Sequence, residues 1–238
     1  MSIAIHYEPN IEWHAKRVHQ FSTGLNTLGL EHEITSSRQR VAEHSILFGT
    51  TLWRGIEEER DFLLVDRASI GDPDYVSLVW NNHGRRGDHC VPDQVDSSRW
   101  NALGVELQPR VAPFERTVIC GQTEPYSPHF KSMSEWYDTI TPGYWRGLGA
   151  THFRPHPQGD NPTFLPTYRG WEANFHVLNS SVGVEAAIRG LPLMVHDEGC
   201  MAHGIKDRQE WANWLAWTQW RWDEIESGLP IKHLFEEL

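Results

Sequence analysis

Apolar positions along the chain follow two periods in turn. Residues Ser2–Tyr7 form a short apolar run that reads as a strand, and between Ile11 and Leu28 the positions Val18, Phe21, Leu25 and Leu28 fall at helical spacing before Gly29. A second short strand is expected over Glu31–Ser36. This β-α-β order implies a parallel sheet with helices on its faces. Ser45–Gly49 and Phe62–Asp66 read as two further buried strands, separated by a helical stretch over Leu52–Arg60. Each ends where a parallel strand delivers a side chain to a cleft.

The pattern lapses over Gly71–Arg110, where Gly, Asp, Asn, His and Arg surround one apolar patch at Val76–Trp80. A loop of this length inside a compact fold points to function, and its aromatics favour an ordered one. After Pro109–Pro113, a plausible linker, alternation resumes. Strands are expected at Arg116–Cys120, Thr151–Arg154, Phe175–Leu178 and Pro192–His196, with helices around Ser134–Ile140 and over Val182–Arg189. A last helix, Arg208–Ser227, carries Trp211, Trp214, Leu215, Trp222 and Ile225 on one packing face, leaving Trp217 or Trp220 for carbohydrate stacking. The reading is an α/β chain of two Rossmann-like lobes with parallel sheets facing a central cleft. The lobes span residues 1–110 and 111–238, and the last helix is able to cross back.

Composition narrows the class. At 238 residues the chain can bury a sizeable core without disulfide staples. No apolar run approaches the roughly 18 residues of a membrane span, and the first residues lack the basic-then-apolar form of a signal peptide. Three scattered cysteines, Cys90, Cys120 and Cys200, suit a reducing compartment, so a cytoplasmic protein is expected. A net charge of −11 opposes broad attraction to nucleic acid, although a local basic groove stays open. The 14 histidines invite a metal reading. Neither Cys200–His203 nor His89-Cys90 supplies a four-ligand pattern, however, and no glycine-rich phosphate loop is present.

Three local units carry chemistry. Phe175–Val195 reads strand, Asn179-Ser180-Ser181, helix, strand, so two hydroxyls stand at a helix N-terminus where unpaired N–H groups favour an anion. A helix cap alone accounts for one of them, Ser180 or Ser181, and Glu185, one turn on, is either a ribose ligand or a surface residue. In Phe153–Asp160 two prolines bracket His156 at the end of a strand, and Arg154 and His156 can both donate to phosphate oxygens. Asp66 ends an apolar strand in the first lobe, the place for a general base, unless it simply pairs with Arg67.

The order acidic motif, His-Pro, Ser-Ser resembles the bacterial sialyltransferases and, over more of the chain, the capsule-polysaccharide Kdo transferases. Asp66-Arg67-Ala68-Ser69 stands where that family has Asp-Gly-Phe-Leu-Arg-Ser, and Tyr75–Val79 resembles the Ser-Leu-Val that follows. Gly121-Gln122-Thr123-Glu124 is similar to its Gly-Gln-Val-Glu, and Arg154-Pro155-His156-Pro157 to its Lys-Pro-His-Pro. Ser181 through Gly190-Leu191-Pro192, with Glu185-Ala186-Ala187 inside it, looks like its Ser-x-x-x-x-Glu-Ala-Leu-x-x-Gly-Lys-Pro. The resemblance covers about Asp61–Ile205 and departs from the pattern at Arg67, where the family has glycine. It implies a GT-B glycosyltransferase that takes a sugar from a CMP- or UDP-activated donor, a co-substrate and no resident cofactor, without a metal. Asp66 would be the base. Gln122, Arg154, His156, Pro157, Ser180, Ser181 and Glu185 would lie on the nucleotide side. Acceptor-side candidates are Arg67, Trp80, Arg85, Arg86 and Trp100, with a glycan or glycolipid preferred as acceptor. The alternatives are a hydroxymethylated pyrimidine in viral DNA as acceptor, or a nucleotide-sugar epimerase or hydrolase on the same architecture.

Overall fold

The structure is a computed structural model that describes residues 2–49, 61–70, 74–121, 151–154 and 172–236. The expected helices at Leu52–Arg60 and Ser134–Ile140 lie outside the described residues. The chain divides into two compact units, Met1–Gly104 with Glu210–Leu238, and Val105–Gln209. The C-terminal segment therefore belongs to the first unit. Among the described residues no helix is long and apolar enough to cross a membrane.

The first unit is built on a six-stranded sheet. Strands β1 (Ile3–His6), β2 (His32–Thr35), β3 (His44–Phe48) and β4 (Phe62–Arg67) run parallel in the spatial order β4-β3-β1-β2. Helix α1 (Glu12–Thr27) links β1 to β2 and buries His14, Val18, Phe21 and Leu25. Its acidic Glu12 suits the positive end of the helix dipole. Two strands then depart from the parallel expectation: β5 (Tyr75–Trp80) runs antiparallel to β4, and β10 (Gln219–Arg221) runs antiparallel to β5. The apolar patch read inside an irregular loop is thus an interior strand. Covered on both faces, it shows a near-continuous apolar run instead of clean alternation.

The C-terminal segment corrects the single-helix expectation. Helix α4 (Arg208–Trp217) stops at Thr218, whose hydroxyl donates back to the Leu215 carbonyl at 2.8 Å. The chain extends into β10, then restarts as α5 (Trp222–Glu226) and α6 (Leu229–Glu236). At that restart Glu224 accepts from the Arg221 amide at 2.8 Å, a capping contact local to the turn. Trp220 is buried, and the Arg99 guanidinium, presented by α2 (Ser98–Ala102), lies 4.3 Å from its ring centre and 5.3 Å from that of Trp217. Both indoles are packing surfaces for a cation, not platforms for sugar. The same guanidinium makes two bonds to Glu224, at 2.9 and 3.2 Å, and donates to the carbonyls of Gln219 and Ala216.

One face of the sheet packs under α1, α5 and α6 through Ile5, Phe48, Val65, Leu78, Phe21, Ile225 and Leu234, among others. The opposite face carries Leu47, Phe62, Leu64 and Val79. Helices α1 and α5 approach so closely at Gly24 that a Cβ there would sit 2.1 Å from the Ile225 carbonyl oxygen.

The second unit holds a four-stranded, all-parallel sheet in the order β7-β6-β8-β9, from β6 (Thr117–Cys120), β7 (Thr151–Arg154), β8 (Asn174–Val177) and β9 (Leu193–Val195). Helix α3 (Ser181–Ile188) connects β8 to β9. Numbered by order along the chain, the four parallel strands of each unit lie in the same spatial sequence, second-first-third-fourth. In both, the order reverses between the first and third, and the carboxyl ends of those strands frame the crevice where such sheets bind ligands.

Two stability outcomes follow. Gly24→Ala gains up to about 1 kcal/mol of helix propensity but forces apart two backbones, an overpacking loss of about 1–3 kcal/mol or more; thermal unfolding should show net destabilisation, and a stabilised variant would contradict the close approach. Arg99→Lys keeps the charge but loses the fork that reaches Glu224 and two carbonyls. It should destabilise the chain by about 1–3 kcal/mol in urea titration, the scale for charge-assisted hydrogen bonds.

Candidate functional site

Asp66 and Arg67 end β4 at the carboxyl edge of the first sheet, and strand alternation sends them to opposite faces. Arg67 shares its parity with Val65 and lies on the α1 side; Asp66 shares its parity with Leu64, on the face with Val79. The two side chains do not pair. Asp66 Oδ1 accepts instead from the Arg67 backbone amide at 2.7 Å, and no described cation forms an ion pair with it. Crowding by protein atoms pushes the Asp66 carboxyl above its usual 3.8, against the Arg67 amide and the charges of His83 and Arg67, which pull it down. Part of the residue still reaches solvent. A carboxyl raised toward neutrality with one lone-pair side open is suited to taking a proton.

The turn that follows, Ala68-Ser69-Ile70, is held from the C-terminal segment. Buried Gln219 accepts from the Ser69 amide at 2.7 Å through its Oε1, and its own carbonyl is the one that Arg99 grips.

On the α1 side of the same edge stands His14, which sequence reasoning passed over. Its Nδ1 accepts from the Glu8 amide at 3.2 Å, so the ring proton sits on Nε2. Burial drives its pKa down to about 4, with Arg67 also lowering it and Glu8 opposing. The imidazole is neutral at pH 7, and Nε2 faces Gly49, where a Cβ would sit 2.9 Å away. Gly49 ends β3 at φ +75°, a backbone that side-chained residues rarely adopt. A Gly directly after an apolar strand, with a His in the first turn of the helix after β1, was the available signal.

Of the acceptor-side candidates, Trp80 and Arg86 line one cavity, whereas Trp100 is not in its lining. Trp80 and Trp100 are core residues, 4% and 3% exposed, with Trp80 edge-on to Phe235, so neither can stack on a ligand. Both sit on regular elements, β5 and α2, where the sequence pattern suggests an irregular loop. Arg85, in the short 3-10 turn Gly84–Arg86, lies 4.3 Å from the Trp214 ring centre, and Arg86 lines a polar cavity of about 670 Å³ with Asn81, Asn82, Asp88 and Asp93.

In the second unit Ser180 caps α3, its Oγ accepting from the Val182 amide at 3.3 Å. That hydroxyl serves the helix. Ser181 is exposed at the first helical position, and its hydroxyl carries no hydrogen bond to a described residue. Glu185 pairs with Arg189 one turn on at 2.7 Å, with both side chains partly exposed. Arg154 ends β7, is 5% exposed and hydrogen-bonds the Cys120 thiol, whose pKa burial still pushes up to about 12. A permanent cation thus sits at the carboxyl edge beside Gly121, whose amide donates to the Arg154 carbonyl at 2.7 Å. Gln122, His156 and Pro157 lie outside the described residues.

Two further histidines were missed. His176 on β8 and His196 just past β9 stack with Nδ1···Nε2 at 3.0 Å, and burial lowers both pKa values, with His196 adding to the effect on His176. Each lies near the end of an adjacent parallel strand, a spacing visible only once register is known. Among the described residues no group of three or more His, Cys, Asp or Glu is placed to hold a metal ion.

The Asp66 carboxyl fixes a linkage sign. A carboxyl whose folded pKa exceeds 3.8 contributes stability that is full below the unfolded pKa and is lost as pH rises through the folded value. Asp66→Asn keeps the acceptor for the Arg67 amide and removes the ionisation. The variant should gain on wild type in melting temperature between pH 4 and pH 7 and converge with it near pH 3; a variant less stable at pH 7 would mean that the carboxylate is a structural anchor.

No family model, curated protein or solved structure matches the chain.

Proposed function

We propose that the protein is a glycosyltransferase whose two α/β units act as the lobes of a GT-B-like enzyme, moving a sugar from a CMP- or UDP-activated donor to an acceptor hydroxyl. The observation that carries the reading is Asp66: an un-ion-paired carboxyl of raised pKa at the carboxyl end of a parallel strand. It takes the acceptor proton as the hydroxyl attacks the anomeric carbon. The bond from that carbon to the donor phosphate breaks, and the nucleotide leaves with the electron pair.

Donors that meet the growing phosphate charge stabilise the transition state more than the ground state. Arg154 and the Ser181 end of α3 support that role in the second unit, alongside His156 and Gln122 from the sequence motif. His14 Nε2–H is a neutral donor on the first sheet's edge and offers a hydrogen bond to substrate oxygen without attracting the proton that Asp66 must receive. The chemistry calls on no divalent cation, and activity should persist in excess chelator.

A glycan or glycolipid hydroxyl is the preferred acceptor. Hydroxymethylated DNA is the second reading, supported by the basic turn at Arg85 and Arg86 beside His83, one of the charges that act on Asp66. Binding that falls steeply with salt, by about 0.9 in log affinity per log salt for each phosphate neutralised, would favour DNA.

Asp66→Asn should lower transfer from a CMP- or UDP-sugar by about 10²–10⁴-fold while nucleotide affinity holds. The wild-type rate should rise with pH through an apparent pKa above the ordinary carboxylate range. Transfer within threefold of wild type would remove Asp66 from the role, and full turnover of donor without any acceptor would indicate an epimerase or hydrolase instead.

A further inference from the structure

At the C-terminal end of α3, away from the Ser181 end that the functional reading uses, lies a cavity of about 500 Å³. That is within the roughly 300–1,000 Å³ typical of small-molecule sites. Its walls are apolar, with Leu191, Leu193, Val195 and Ile205 among them. The ionisable groups that line it are Arg110, Arg208 and His203, and no described Asp or Glu is in the lining. In a chain of net charge −11, a cavity whose described lining carries two arginines and no carboxylate is a local excess of positive charge.

Arg208 is fixed there by structure. Its guanidinium donates to the carbonyls of Ala187 at 3.0 Å, Ile188 at 2.9 Å and Gln108 at 2.8 Å, closing the C-terminal end of α3. Three of its five N–H groups are spent, and two remain. Arg110 sits near enough for its charge to act on Arg208, and it forms no hydrogen bond or ion pair with a described residue. Two guanidinium groups brought together without an anion repel, and a bound carboxylate would relieve that repulsion while accepting from both. An apolar body on the same molecule would cover the hydrophobic walls, so head and tail each have a matching surface.

We infer that this cavity is a binding site for a small amphipathic carboxylate, its head on Arg110 and Arg208 and its hydrocarbon body against Leu191, Leu193 and Val195. The site is separate from the proposed transfer chemistry and stands whether or not Asp66 is a base.

The test is calorimetric titration of the full chain with sodium decanoate, 1-decanol and sodium acetate, without any turnover. Decanoate should bind with a dissociation constant below about 1 mM, and neither the uncharged chain nor the bare head should match it. Arg110→Gln changes an exposed side chain with no described partner, so its melting temperature should equal that of wild type, and decanoate affinity should fall about tenfold. Arg110→Lys, which keeps the charge but not the fork, should fall between the two. Absence of decanoate binding, decanol binding as tightly as decanoate, or an Arg110→Gln variant of unchanged affinity would each overturn the assignment.

Discussion

The first unit depends on one returning segment. Strand β10 adds antiparallel to β5 at the margin of the sheet, yet three residues of edge pairing alone are weak. What secures it is the Arg99 guanidinium, which binds Glu224 in two places, takes the Gln219 and Ala216 carbonyls, and lies on the rings of Trp217 and Trp220. Neither member of the Arg99–Glu224 pair is fully buried, so the desolvation that makes interior ion pairs unprofitable is only partial here. The geometric fork adds direction that a point charge lacks.

That anchor reaches the turn beside Asp66. Gln219 is gripped at its carbonyl by Arg99 and uses its side chain to hold the Ser69 amide, three residues after Asp66. The turn beside the carboxyl is therefore positioned by residues 150 positions later in the chain. His14 and Asp66 then show one device used twice with opposite sign. Burial drives the histidine down to about 4 and the carboxyl up, so both are biased to their neutral forms by the same low-dielectric edge. Desolvating either group costs the fold stability over the pH range in which water would ionise it. The conformational restraint that the Arg99 anchor supplies helps to offset that burden.

Much of the architecture was legible from local pattern. The spans β1, α1, β2, β3, β4 and β6 to β9 agree with the apolar runs to within a residue or two at their ends, because each is decided by periodicity and by a nearby breaker such as Gly29 or Gly190. Where the reading failed, a distant partner decides the structure. Tyr75–Trp80 is a strand because β4 and β10 flank it, and Gln219–Arg221 leaves a helical pattern because β5 offers it a ladder. Trp80 and Trp100 are buried because the elements that carry them pack into the first unit, which local pattern does not show. Of the candidate site, Asp66, Arg154 and Ser181 stand at strand or helix ends as strand-end logic places them, whereas Ser180 and Glu185 are occupied by a cap and an ion pair that any surface helix could use. His14 and Gln219 could not be read locally, since their roles depend on Gly49 and Ser69 across the fold.

The shared second-first-third-fourth strand order has a physical consequence for where ligands can act. In a parallel sheet every strand ends at the same edge, so the loops at that edge are released from packing, and reversal of strand order opens a crevice between neighbouring crossovers. In the second unit this edge holds Arg154, Gly121 and the exposed Ser181, at the amino end of α3 where Ser180 takes the Val182 and Gly183 amides. The other end of α3 presents carbonyls and would repel an anion, and Arg208 reverses that sign by covering two of them with its guanidinium. One eight-residue helix is thereby closed at both ends, by the Ser180 cap at the first and by an arginine fork at the second. Because the helix is only two turns long and buried along Val182, Val184, Ala186 and Ala187, neither end can shift without moving the other against the sheet.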